Sequence, residues 1–352
     1  MNQIRPTMGY KLSIVIFLSA IPLAIGTPYR PHHGLWKDLA PIPIAPRQEH
    51  STVAISRSTI AILGGIVPEA NSSIFPTTTL VQLYNIQKNT WHSAAPLPIA
   101  LNHPNVAAVH GRIYVLGGLT PDPEGAWRSV PDSWVYDPES DVWESIQPIP
   151  AGQERGSAAV GVDGHIIWLA GGMKILVPRE GGEQTSVNLV SAYDTVSDTW
   201  LSLPITVQNM PGRRDHAGAA VIHSKFYVVG GRDSGQFNVQ DAVNVLDLSA
   251  LEDGWTIAEG RMPTPRGGIA TAAVGSQIYT FGGEGNPEPG SAGVFNETEV
   301  YNTGTGKWRK LGPMKLPRHG TYAVAVDSTV YIPGGGISIG AGPVASFDLF
   351  YP

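Results

Sequence analysis

Histidines and arginines stand at matched points along the 352-residue chain. His50, His103 and His216 each lie fourteen residues before a Gly-Gly doublet, so equivalent depths in three repeats are expected. An imidazole titrates near neutrality, which makes His50 and His216 candidates for general acid/base work. Arg47, Arg155, Arg213, Arg266 and Arg318, the last followed by His319, precede short runs of small residues; Arg232 and Glu284 follow doublets. With His103 and Trp127 they would surround one mouth with guanidinium forks, imidazoles and an aromatic wall. Such a set suits an anionic or oxygen-rich planar ligand, and the expected partner is a small hydrophobic or oxygen-rich planar molecule. The competing reading pairs the arginines with carbonyls and acids of neighbouring repeats. Three histidines can also hold a divalent metal. Here they fall in repeats 1, 2 and 4, which should separate them too far, and no metal site is expected.

What would position these groups is a sixfold repeat. Gly-Gly doublets close apolar runs at 64–65, 117–118, 171–172, 230–231, 282–283 and 334–335. The runs IAIL, IYVL, IWLA, FYVV, IYTF and VYIP are β-branched or aromatic, which indicates strands. Tyr84, Tyr136, Tyr193 and Tyr301 follow, each with a Trp seven residues later (Trp91, Trp143, Trp200, Trp308), and Trp255 follows Leu246. Before each doublet run lies a slim segment such as NVAAV or IATAAV, fit for a crowded axis. Units of about fifty residues that cannot bury their own faces indicate a radial stack of sheets. Trp36 has the flanks of an outer strand but no unit before it, so the N-terminal strand should complete the last sheet and leave no open edge.

With its doublets, Tyr and Trp, the chain resembles the Kelch-repeat family, most closely in MPTPRGGIATAAVGSQIYTFGG (262–283). The resemblance implies an all-β, six-bladed propeller over residues 27–352. No Trp-Asp dipeptide supports the alternative WD40 repeat. Long connections between the second and third strands share a face with the starts of the inner strands. The working mouth is therefore expected on that face.

Composition removes other classes. Only 15 % of residues are charged and the formal net charge is −6, so no basic field exists to hold nucleic acid or an anionic membrane. Without cysteine, disulfides, thiolate metal sites and the Tyr–Cys copper centre of Kelch-like galactose oxidase cannot form. The ExxxDxxxH iron motif of specifier proteins, sialidase Asp-boxes, HExxH and Walker loops are missing, and no cofactor is expected. Residues 1–26 read as a signal peptide: Arg5 and Lys11 precede the apolar stretch Leu12–Ile25, with small residues at Ala24 and Gly26. A secreted, monomeric protein, free of the membrane once that segment is removed, follows. The sequons at Asn71 and Asn296 are the expected glycosylation sites.

These features together are similar to secreted propellers of fungal natural-product pathways. Among them are hetero-Diels–Alderases that join a tropolone o-quinone methide to a humulene-type terpene. That resemblance implies dehydration of a hydroxymethyl precursor followed by shape-controlled cycloaddition. The alternative is a non-catalytic extracellular module that binds a peptide or glycan through an open, Arg-lined funnel.

Overall fold

A computed structural model describes Met1 and residues 34–68, 76–179 and 181–352. Six antiparallel sheets stack around an axis, each with its slimmest strand innermost. Blade 1 runs outward through Ser51–Ser56, Thr59–Leu63, Val81–Asn85 and Thr90–Ser93. Blade 6 is completed from the other end of the chain: Leu35–Asp38 pairs with Phe347–Tyr351, and Trp36 lies opposite Phe350. The ring is thus closed by hydrogen bonds, as the unpaired Trp36 predicts. Blade 2 has the longest hairpin, Arg112–Pro121 with Trp127–Asp137. The strand Met173–Leu176 from the next blade's long connection pairs with it at Arg128 and Trp127.

The Tyr–Trp pairs join blade to blade. Tyr136 and Trp143 pack with ring centroids 4.9 Å apart. The Tyr136 hydroxyl donates to Asp141 (2.6 Å), whose carboxylate also accepts the Ala95 N–H of the preceding blade (2.7 Å). The Trp143 indole N–H donates to the Ala95 carbonyl (3.0 Å). The same indole-to-carbonyl link joins Trp91 to Ala40 and Trp200 to Gln147. These pairs fill the gaps between twisted sheets, and in those of Tyr84, Tyr136 and Tyr193 the hydroxyl and the indole N–H both find acceptors.

The doublets serve close approach. Gly64 has φ +62°, and a Cβ there would run into the carbonyl of Leu101 in the next blade. The next residue, Gly65, donates its N–H to that same carbonyl (2.8 Å). Gly172, Gly231, Gly283 and Gly335 donate to Arg214, Arg266, Arg318 and Arg47 in the same way. Only glycine combines the left-handed backbone with this contact.

Candidate functional site at the closed end of the central channel

The arginines before the inner strands turn away from the axis. Arg47 donates to Leu80 O (3.0 Å) and to Gln82; Arg155 donates to Gly171 O (2.7 Å) and Leu169 O (3.1 Å). Arg214 reaches Gly230 O and Ala242 O at 3.0 and 3.1 Å. Arg266 holds Glu299 at 2.6 Å, and Arg318 holds Asp348 at 2.6 Å. In every case the side chain crosses to the second strand, the third strand or both in its own blade and is buried. Burial alone pushes Arg47 down to about 9. These are blade staples.

Two residues further on, the chain behaves differently. Glu49, His103, Ser157 and His216 all have φ between +50° and +54°, and their counterparts in blades 5 and 6 are Gly268 and Gly320. Their peptide groups form a closed circle around the axis. Glu49 donates to Gly320 O (2.6 Å), His103 to Glu49 O (2.8 Å) and Ser157 to His103 O (2.9 Å). His216 donates to Ser157 O (3.3 Å), Gly268 to His216 O (2.9 Å) and Gly320 to Gly268 O (3.1 Å). One residue per blade thus closes the propeller's centre. A Cβ on Gly320 would fall into the Glu49 carboxylate, so glycine there makes room for that side chain.

The side chains carried by this circle meet in a buried polar cluster. Glu49 Oε2 lies 3.0 Å from His103 Nε2 and 3.6 Å from His216 Nε2. The two Nε2 atoms are themselves 3.0 Å apart. His216 Nδ1 sits 2.5 Å from Asp215, and His103 Nδ1 sits 2.7 Å from the Asn102 side-chain oxygen. Arg232 pairs with Asp215 (3.1 Å) and with Glu284, and its Nη2 is 3.2 Å from His216 Nε2. His319 Nδ1 stands 3.5 Å from Glu49 and 3.4 Å from Glu284. Trp127 covers His103 at a centroid distance of 5.7 Å, packed with Ile66, Leu119 and Met173.

Burial and charge compete in this cluster, and charge wins at most positions. Burial raises the Glu49 carboxyl, but His103 and His216 outweigh it and hold it well below the usual range. Asp215, raised by burial but hydrogen-bonded to His216 and close to Arg232, comes down to about 2. Burial and Arg232 push His216 down, yet its bonds to Asp215 and Glu49 carry it above its ordinary value. His103 is the exception: burial dominates and lowers it.

On the other side of the circle the inner strands enclose a channel of about 380 Å³. Its walls are small and apolar, including Ala107, Ala108, Val160, Ala220, Ala272 and Val324. Wall residues become partly exposed toward the tight turns, as at Ala54, Ala108 and Val162, whereas the circle residues are buried. The channel is therefore closed toward the long loops and opens toward the short turns. Tyr322 lines it at the closed end, hydrogen-bonded by Ser157; burial, with Glu49 and Asp215 nearby, raises its hydroxyl. That phenol stays protonated and available as a donor.

The KLHDC2/KLHL20/DRC7 Kelch-repeats domain matches this chain over residues 36–217 and 179–336. The chain belongs to the Kelch-repeat family. It is 39 % identical over 336 residues to Kelch-like protein terF of Aspergillus terreus, covering 94 % of this chain and 70 % of that protein. More distant relatives include beta-scruin of Limulus polyphemus, 27 % identical over 81 % of this chain. Another is the Kelch repeat and BTB domain-containing protein 12 of Danio rerio, 28 % identical over 64 %. The chain spans about a third of each of those two, 30 % and 36 %. Among solved structures, YjhT superposes with a TM-score of 0.70 at 17 % identity, covering 88 % of this chain and 95 % of that one, which supports the fold alone.

Against this Kelch framework, the structure redistributes the residues that the sequence singles out. His103, His216, Arg232, Glu284 and His319 converge in the cluster. Of the three histidines expected to be too far apart, His103 and His216 are in contact, because the circle brings blades 2 and 4 to the axis. His50 does not join them. It is buried between blades with Nε2 3.1 Å from Pro333 O, and burial, with Arg47 adding to it, lowers it to about 3. Arg47, Arg155, Arg266 and Arg318 are staples rather than mouth residues. Arg213 is exposed and pairs with Asp233 at 3.4 Å, while Arg214 takes the staple position. Trp127 roofs the cluster instead of lining an open funnel, and the described residues of the long-loop face form no Arg-lined mouth. Asn296 is exposed; Asn71 and the whole of residues 2–33, with the expected signal peptide, lie outside the described residues.

Glu49 escapes a spacing argument because of one residue. In blade 1, Ser51 pairs with Leu63, and a bulge between Ala54 and Ser56 adds a position to the inner strand. Blade 2 has no such bulge, with Val106 opposite Val115 and Val109 opposite Arg112. Counting back from the doublets thus aligns His50 with His103, whereas the true counterpart is Glu49. The φ of +53° at Glu49 and its place in the circle identify it.

Proposed function

We propose that this Kelch propeller acts in fungal natural-product biosynthesis, taking a small, largely apolar molecule into its central channel. The observation that carries this is the channel: about 380 Å³, walled by Ala and Val, with one phenol at its closed end. That volume and lining are those of a small-molecule site. The relationship to terF supports a fungal setting. The finer reading is dehydration followed by hetero-Diels–Alder closure. A hydroxymethyl tropolone loses its ring-hydroxyl proton while the C–O bond of its CH₂–OH breaks, the hydroxide and that proton leaving as one water, which yields an o-quinone methide. That heterodiene adds across an alkene of a humulene-type terpene, forming one C–O and one C–C bond. Tyr322 would donate its one hydrogen bond first to the departing hydroxyl and then, in the cycloaddition, to the ring oxygen, while the channel wall holds both partners in one orientation.

The test incubates purified protein with a hydroxymethyl tropolone and humulene and follows the cyclised product by chiral chromatography. Turnover above background is expected, falling roughly 100-fold or more in Tyr322→Phe. Ala108→Phe should block the channel and abolish activity with little change in Tm. A background rate unaffected by either substitution would refute this reading. The binding-module alternative rested on a ring of exposed arginines, and of those only Arg213 is exposed, while Arg47, Arg155, Arg232, Arg266 and Arg318 are buried.

A further inference from the structure

We propose that Glu49, His103 and His216 form a binding site for one divalent first-row transition-metal ion on the propeller axis. The inference stands apart from whatever fills the channel. Three potential ligand atoms, Glu49 Oε2, His103 Nε2 and His216 Nε2, are separated by 3.0, 3.0 and 3.6 Å. Nitrogen and oxygen ligands about 2.0–2.2 Å from a metal, at angles between about 90° and 110°, lie roughly 2.8–3.6 Å from one another. The observed triangle has that size.

The tautomers point the same way. His216 Nδ1 faces a carboxylate, Asp215, and His103 Nδ1 faces the Asn102 side-chain oxygen, both acceptors. Each Nδ1 therefore carries the hydrogen, and each neutral imidazole turns an unprotonated Nε2 toward the other and toward Glu49. Two lone pairs and a carboxylate facing one another in a buried space require a positive charge between them. Donation of the second ring N–H to an oxygen is also the usual support of a metal-bound histidine.

Charge balance sets the size of that charge. The buried cluster holds the carboxylates of Glu49, Asp215 and Glu284 against one guanidinium, Arg232. With neutral imidazoles its net charge is −2, which one divalent ion would cancel. Arg232 Nη2 comes within 3.2 Å of His216 Nε2, but Asp215 and Glu284 already compensate its charge. The three ligands are held on left-handed backbone by the hydrogen-bonded circle, so the site is preorganised. A bound ion would tie blades 1, 2 and 4 together across the axis. Two imidazoles and a carboxylate suit Zn²⁺, Fe²⁺, Mn²⁺ or Co²⁺.

The experiment uses the purified full chain, stripped with chelator and equilibrated separately with each of those four ions. Metal content, Tm and, for Co²⁺ and Zn²⁺, X-ray absorption are then read. The expected result is about one equivalent retained by at least one ion, a raised Tm, and imidazole back-scattering. Asparagine tolerates left-handed backbone, so His103→Asn and His216→Asn should remain folded and lose the ion. Asp215→Asn, which loosens His216 from behind, should weaken affinity by roughly 10–100-fold. Less than a tenth of an equivalent for all four ions in folded wild-type protein would overturn the proposal and leave a shared proton as the occupant. Full metal retention by both folded asparagine variants would overturn it too. If neither variant folds, the absorption spectrum of the wild-type protein decides: a metal without imidazole neighbours refutes the site. Turnover in the channel enters none of these readouts.

Discussion

Two rings of residues lie two positions apart in the sequence and play opposite parts. The first, Arg47, Arg155, Arg214, Arg266 and Arg318, with Leu101 in blade 2, repeats nearly the same residue and points outward. Each arginine satisfies carbonyls and side chains of its own blade, and none is available to a ligand. The second, Glu49, His103, Ser157, His216, Gly268 and Gly320, changes from blade to blade and sits at the axis. Its backbone is the same in all six blades, while its side chains make a single asymmetric site. In a repeat protein, a residue type that recurs at equivalent positions answers a need that every unit shares. A position with constant backbone and varying side chain is free to carry chemistry, because the fold asks only for its conformation.

The largest effect that would break this contrast belongs to the staples. Arg266→Ala leaves Glu299 buried without its guanidinium and should cost about 3–5 kcal/mol, read by urea denaturation. A loss near zero would mean that the first ring is not structural. Next comes the conformation of the second ring. Gly320→Ala forces a side chain onto left-handed backbone and into the Glu49 carboxylate, and should cost about 1–3 kcal/mol. An unchanged Tm would show that the circle tolerates a Cβ and does not depend on glycine there.

The smallest effect concerns protons, best read with chelator present. His50, beside the circle but outside the cluster, is lowered from 6.5 to about 3. Its neutral form belongs to the folded state, so its contribution is complete above pH 6.5 and is lost as pH falls from there toward 3. That loss amounts to about 1.4 kcal/mol per pH unit. His216 is raised and has the opposite sign: its contribution is complete below pH 6.5 and is lost as pH rises through its folded value. Between pH 7.5 and 5.5, His50→Gln should therefore flatten the acid loss of Tm, whereas His216→Asn should steepen it. Parallel pH profiles for the two variants would place both histidines in the same environment and contradict the separation described here.

Much of the architecture was legible because its causes are local and repeated. Doublet glycines, Tyr–Trp spacing and slim inner strands recur six times or nearly so, and Trp36 stands in the outer strand of the last blade. The direction of the arginines was not legible. Whether a guanidinium faces the axis or its own blade depends on carbonyls exposed at Gly171 or Gly282, which lie sixteen residues away. Glu49 was hidden by the bulge in blade 1, since one inserted residue changes a count without changing composition.

By itself the sequence determined the kind of protein this is: an all-β ring of six Kelch blades, without cysteine chemistry and with its N-terminal strand in the last blade. Those properties follow from composition and from contacts that every unit makes with its neighbour. Only the tertiary structure decided which end of the channel is closed and which polar residues share a site. Glu49, His103 and His216 are separated by 54 and 113 residues and meet solely because six blades close on one axis. Proximity of that kind depends on ring closure, which no single repeat encodes.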